Sequence, residues 1–169
     1  MNIERKWAMP NSNTFSIKPI NDFIYKHMSD GIWLDPFSRN SPFAHRCTTN
    51  DLCEDFSADF HEDALDFLKR FDDNSVDGIL FDPPYSPRQI SECYAGVGKK
   101  AHMTDTQSSF YTLRKKECRR ILKTGGKFIC FGWNSMGIGD KTKFKMTDVL
   151  LVPHGGARND TICTVEIKI

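Results

Sequence analysis

The chain reads as a three-layer α/β domain whose mostly parallel sheet closes in an antiparallel C-terminal hairpin. Three observations predict this. Apolar runs of strand length alternate with stretches of helical periodicity. The run Val76-Asp77-Gly78-Ile79-Leu80-Phe81 is apolar towards both alternating faces, as a strand covered by helices on each side must be. The final two strands, 144–152 and 161–169, follow each other across one turn and so pair as a hairpin. At 169 residues the chain is expected to form one domain, 1–169, with a core of its own.

Taken in order, residues 1–18 are polar and rich in Asn, Ser and Pro, which predicts an N-terminal arm. Pro19 opens a helix with Ile20, Phe23, Ile24, His27 and Met28 on one face. Gly31 breaks that pattern, and 32–35 is the first strand. A second strand is expected over 44–50, ending at Asp51. Residues 63–71 are helical, with Asp63 favourable at the positive end of the helix dipole. The strand at 76–82 follows. The polar, Gly-containing stretch 86–105 is too long for a plain connection and is expected as a substrate loop. A helix over 106–123 then stops before Gly125-Gly126. Phe110, Leu113, Cys118, Ile121 and Leu122 form its apolar side; Arg114 and Glu117 fall within that arc, three apart, and are expected to pair. Residues 127–133 form another buried strand before the hairpin, whose turn spans 153–160.

Composition narrows the function. The net charge of +1 conceals an asymmetry, −7 over residues 1–82 and +8 over 83–169. A basic half suits a phosphate-bearing partner, although solvated surface Lys and Arg give the same count. No apolar stretch approaches membrane-spanning length and nothing resembles a signal peptide, so a soluble, cytoplasmic protein is expected. Six scattered cysteines without a Cys-x-x-Cys pair predict free thiols and no metal.

Asp82-Pro83-Pro84-Tyr85, directly after the 76–81 run, carries the most chemistry. The two prolines fix φ and remove backbone donors, leaving an acceptor-rich pocket made of a carboxylate, a carbonyl and an aromatic ring. A planar ring bearing an amine fits there, its hydrogens on Asp82 and the Pro83 carbonyl and its face on Tyr85. A simple strand-ending turn is the plainer alternative. Asp35 and Asp51 also end predicted strands, at the edge where α/β sheets bind ligands. Asp35 with the 36–40 turn suits a small ligand's polar end, or forms only an Asx turn. Asp51 suits a ribose diol. Asp63 suits an adenine amine, or serves only as a helix cap.

The ordered set Phe15-x-x-Lys18-Pro19, Leu34-Asp35-Pro36-Phe37, Asn50-Asp51, Asp63-Ala64 and Asp82-Pro83-Pro84-Tyr85 resembles the S-adenosylmethionine-dependent DNA adenine amino-methyltransferases of the Asp-Pro-Pro-Tyr type. The Gly155-Gly156-x-x-Asn159-Asp160 turn resembles them too, and the likeness runs from about residue 15 onwards. It implies a Rossmann-like class I methyltransferase fold and N6 methylation of adenine in DNA. By the resemblance, Phe15, Lys18, Pro19, Asp35, Pro36, Phe37, Asp51, Asp63 and Asp82 hold S-adenosylmethionine, without a metal. Asp82, Pro83, Pro84 and Tyr85 are catalytic, and Tyr85, Arg88, Lys99, Lys100 and Asn159 meet the nucleic acid, DNA ahead of RNA. Two departures stand out. Ser38-Arg39-Asn40-Ser41-Pro42 replaces the glycines usual in the family's cofactor turn, so Arg39 either meets the methionine carboxylate or fills the pocket. No segment is long enough for a separate target-recognition domain, which points to a homodimer, a recognition subunit or unpaired substrate. The same chemistry on RNA, and a non-catalytic subunit of this fold that supports an active partner, are the alternatives.

Overall fold

The structure, a computed structural model, describes residues 1–100, 109–156 and 158–169. Among the described residues seven strands form one sheet: β1 (Asn2–Arg5), β2 (Trp33–Asp35), β3 (Thr48–Thr49), β4 (Val76–Phe81), β5 (Leu122–Gly132), β6 (Phe144–Val152) and β7 (Thr161–Lys168). Their spatial order is β1-β6-β7-β5-β4-β2-β3. Only β7 runs against its neighbours among these strands, pairing antiparallel with β5 and β6. The fold class is as expected from the sequence, and so is the hairpin, with one addition beyond it. Residues 2–5, expected in the irregular arm, lie parallel to β6 in the register Asn2↔Asp148 to Arg5↔Leu151.

Helices cover both faces. On one side α1 (Lys18–His27) buries Ile20, Phe23 and Ile24 against Trp33, Leu80, Ile129 and Phe131. On the other, α2 (Ala64–Lys69) and α4 (Ser109–Ile121) set Phe67, Leu68, Cys118 and Ile121 against Leu34, Ile79, Phe81 and Phe128. Successive residues of β2, β4 and β5 thus enter opposite cores, the period-2 consequence of a doubly covered strand. Each fully buried side chain of this kind contributes about 1.5–3 kcal/mol. Gly78 permits the close approach of β2, since a Cβ there would lie 2.4 Å from the Trp33 ring.

Several elements differ from the sequence reading. The strand expected over 44–50 is only Thr48–Thr49, preceded by a single 3-10 turn at Ala44–Arg46. Part of the expected 86–105 loop is α3 (Pro87–Gly96), with Ser86 capping the Gln89 amide at 3.3 Å and Pro87 in the first turn. Ser86-Pro87-Arg88-Gln89 has the Ser-x-x-Gln spacing of a capping box, which was the available signal. Residues 101–105, with His102, lie outside the described residues, as does the expected helix start at 106–108. Helix α4 passes straight into β5, and Gly125-Gly126 sit where the β4–β5 register shifts, between Val76↔Leu122 and Gly78↔Lys127. Leu113, expected in the core, is 47% exposed, whereas Arg114 is 3% exposed.

At the far side of the sheet the arm is fastened to the hairpin turn. Ala8 N–H donates to the Pro153 carbonyl at 3.2 Å. The buried His154 ring contacts the Ala8 carbonyl through Nδ1 and Thr161 Oγ1 through Nε2, each at 2.8 Å. No helix among the described residues is long and apolar enough to cross a membrane.

Candidate functional site

The carboxyl ends of β2, β3 and β4 open into a cleft of about 660 Å³. Phe15, Pro36, Phe37, Asp51, Asp63, Asp82, Pro83, Pro84 and Tyr85 all line it. Asp35 lies fully buried at the end of β2. The other expected site residues stand away from this lining. Lys18 turns along α1 to Asp22, 3.0 Å away, and Pro19 occupies the helix's first turn. Arg88 pairs with Glu92 at 2.7 Å on a solvent-facing side of α3. Lys99 borders a separate depression with His61, Asp66 and Arg70, and Lys100 and Asn159 are exposed.

Asp51 holds the turn after β2. Its Oδ2 accepts from the Arg39 amide and its Oδ1 from the Cys53 amide, both at 2.9 Å. Each oxygen has two acceptor positions, so each can still take another donor. Arg39 adopts φ +44°, a left-handed conformation that favours glycine. The turn therefore has a glycine-like backbone without the glycine. The Arg39 guanidinium lies over Phe56, 5.2 Å from the ring centroid, and donates to the Ser12 carbonyl at 3.4 Å. Asn13 donates to the Asn40 carbonyl at 2.7 Å, so the arm forms one wall of the cleft.

Asp63 is engaged differently. It caps α2 through the Leu65 amide at 2.8 Å. Arg114 Nη2 donates to both of its oxygens, at 2.7 and 2.8 Å, and the Tyr94 hydroxyl bonds to Oδ2. These four contacts match the acceptor capacity of a carboxylate. The expected Arg114–Glu117 pair is replaced by Arg114–Asp63 and by Glu117–Arg120, the latter at 2.7 Å. The Arg114 guanidinium also covers the Phe110 ring at 3.5 Å.

Asp82 follows β4 and faces the cleft. The Tyr85 hydroxyl donates to Asp82 Oδ1, and the Tyr85 ring meets Trp133 edge-on with centroids 5.6 Å apart. The loop is fixed from two helices: Gln89 Oε1 accepts from the Tyr85 amide at 2.6 Å, and the Tyr111 hydroxyl donates to the Pro84 carbonyl at 2.6 Å. Burial raises Asp82 to about 6, opposed by hydrogen bonds from the Tyr85 and Thr14 hydroxyls. Burial likewise pushes Asp35 to about 7. Its Oδ1 accepts from the Phe37 amide at 3.4 Å, while Oδ2 is buried without a partner among the described residues. Burial and the Asp82 charge hold the Tyr85 phenol well above its ordinary range.

The arrangement offers a hydroxyl-accepting carboxylate at Asp51, an amine-accepting one at Asp82, and aromatic surface from Phe15, Phe37, Phe56 and Tyr85. That set suits a nucleoside-bearing ligand. Arg39, expected either to meet the methionine carboxylate or to fill the pocket, does line the cleft. Phe56, Gln89, Tyr94 and Arg114 were not read as site residues from the sequence; an arginine inside an apolar helical arc was the signal for the last. Among the described residues no group of three or more His, Cys, Asp or Glu side chains is placed to hold a metal.

No family model matches the chain, and no curated protein sequence matches it. Solved structures do. The PH0226 protein of Pyrococcus horikoshii OT3 is 16% identical with a TM-score of 0.56, covering 90% of this chain and 89% of that one. A 1,6-didemethyltoxoflavin N1-methyltransferase of Burkholderia thailandensis, solved with S-adenosylhomocysteine, is 14% identical with a TM-score of 0.58, covering 89% and 77%. TrmN of Thermus thermophilus is 15% identical with a TM-score of 0.61, covering 90% of this chain and 49% of that one. The likeness is one of fold: this chain has the Rossmann-like class I architecture of S-adenosylmethionine-dependent methyltransferases.

Proposed function

We propose that this chain transfers a methyl group from S-adenosylmethionine to the exocyclic N6 amine of adenine in DNA. The observation that carries the reading is Asp82-Pro83-Pro84-Tyr85 at the carboxyl end of a central strand, its carboxylate facing a nucleoside-sized cleft. The fold shared with methyltransferases of known cofactor supports the donor. So does the chemistry of the lining: Asp51 retains acceptor positions for a ribose diol, and Phe15 and Phe37 border the space. Asp63 serves that end by fixing Arg114 and Tyr94 in the wall. S-adenosylmethionine, when bound, supplies an electrophilic methyl carbon on a sulfonium.

Adenine's exocyclic nitrogen is conjugated with its ring and weakly nucleophilic. Asp82, accepting one of its hydrogens, favours pyramidal character and exposes the lone pair. The same carboxylate is the nearest acceptor for the proton that the nitrogen sheds after alkylation. The Tyr85 hydroxyl on Oδ1 helps keep that carboxylate ionised, and its ring offers a face for the base. Positioning and electrostatics account for such catalysis. The base is out of reach within a duplex stack, so it enters flipped or unpaired.

The test is transfer of labelled methyl to single-stranded DNA, duplex DNA and RNA, followed by nucleoside mass spectrometry. N6-methyladenine is expected in DNA, falling at least about a hundredfold in Asp82→Ala. Product in RNA alone would change the substrate. No product in any polymer, from protein that binds S-adenosylhomocysteine, would leave a binding subunit.

A further inference from the structure

We propose that Arg39 is the carboxylate anchor of the cleft, gripping the amino-acid end of the methyl donor in place of the missing glycine turn. The inference rests on the proposed methyl-donor reading and adds to it a residue and a ligand group.

Charge distribution picks out Arg39. Among the described residues the cleft is lined by five acids, Asp51, Glu62, Asp63, Asp82 and Glu92, and by two arginines, Arg39 and Arg114. Arg114 is bound face-on to Phe110 and through Nη2 to both oxygens of Asp63. Arg39 is the cation left for a ligand. Of the acids, Glu62 pairs with Arg70, Glu92 with Arg88 and Asp63 with Arg114, which leaves the charges of Asp51 and Asp82. These suit a sulfonium and an ammonium but oppose a carboxylate, and the donor carries all three. Its carboxylate therefore belongs at the guanidinium.

Geometry agrees. The Phe56 ring supports one face of the Arg39 guanidinium and Nη1 donates to the Ser12 carbonyl at 3.4 Å; the remaining in-plane N–H groups are donors of the kind that carboxylates accept. The Arg39 backbone is held at φ +44° by its amide's bond to Asp51. The only other described non-glycine residue with positive φ is Asn74, a type that tolerates it. Arginine does not tolerate it readily, and residues held in such conformations cluster at functional sites.

Calorimetric titration of the full chain tests this with two ligands: S-adenosylhomocysteine and its decarboxylated analogue, which keeps the amine. In Arg39→Ala the affinity for S-adenosylhomocysteine should fall about 10- to 100-fold, the range for a charge-assisted pair. The analogue's affinity should change less than about threefold, and Arg39→Lys should recover part of the loss. Equal losses for both ligands, or no loss, would overturn the assignment. Tighter S-adenosylhomocysteine binding by Arg39→Gly would show that the arginine obstructs the cleft, overturning it as well. Wild-type protein that binds neither ligand would overturn the proposed function itself, and the Arg39 assignment with it.

Discussion

Asp51 and Asp63 line the same cleft, and both were expected to meet the same ligand, yet their surroundings differ. Asp51 accepts two backbone amides and keeps room on each oxygen. Asp63 accepts from Leu65, Tyr94 and twice from Arg114, which uses its full capacity. A carboxylate at a cleft wall thus has one of two occupations, and the count of its donors tells which. Asp51 is available to a ligand; Asp63 clasps α2 to α3 and α4.

The comparison breaks first at Asp63→Ala. That change strands the buried Arg114 guanidinium, and losing one partner of a buried pair costs about 3–5 kcal/mol. Chemical denaturation should show that loss, with Asp63→Ala/Arg114→Met recovering much of it. A loss below about 1 kcal/mol would mean that solvent already reaches the pair.

Asp51→Ala should do the reverse. Its stability cost is set by two stranded amides, about 1–3 kcal/mol, while affinity for S-adenosylhomocysteine falls more than about tenfold. If Asp63→Ala, assayed where it is folded, lost more affinity than Asp51→Ala, the division of labour would be reversed.

A third measurement concerns Asp35, which accepts from the Phe37 amide on Oδ1 and keeps a buried Oδ2 without a partner among the described residues. Its folded-state value of about 7 lies above the ordinary 3.8. Between those values the native state holds a proton that the unfolded chain has released, so stability falls as pH rises from about 4 to 8. Asp82, raised to about 6, adds a slope of the same sign, and methyl transfer should fade below that pH as its carboxylate protonates. Melting temperature followed across this range should flatten in Asp35→Asn. An unchanged slope would assign it elsewhere.

The smallest effect is expected from Lys18→Ala and Arg88→Ala, whose side chains are exposed and paired along their own helices. Melting temperature and cofactor affinity should be unchanged. A clear loss of either would return these residues to the site.

What the sequence revealed follows from how locally each feature is encoded. The strands β4 to β7 were legible because their apolar residues alternate or run together within single segments. Asp82-Pro83-Pro84-Tyr85 was legible because its chemistry lies in four adjacent residues. The strand β1 was not, since Asn2-Ile3-Glu4-Arg5 has no apolar alternation and is ordered by β6, far along the chain. Asp63 was legible as a helix cap but its pairing was not, because its partner Arg114 lies 51 residues away and nearby Glu117 offered an equally plausible charge. Helix α3 was obscured by its polar composition, although its cap was in plain view.

The pairing of β1 with β6 also bears on when the cleft becomes complete. Its arm wall comes from residues 11–15, made ahead of the Asp82 loop, yet the strand just before them docks on Asp148 to Leu151. Loop closure over such a separation is slow. During synthesis the Asp82 loop exists well before that wall has anything to lean on. A partly made chain would thus carry the Asp82 loop beside an unfinished cleft, which is completed only when β1 meets β6.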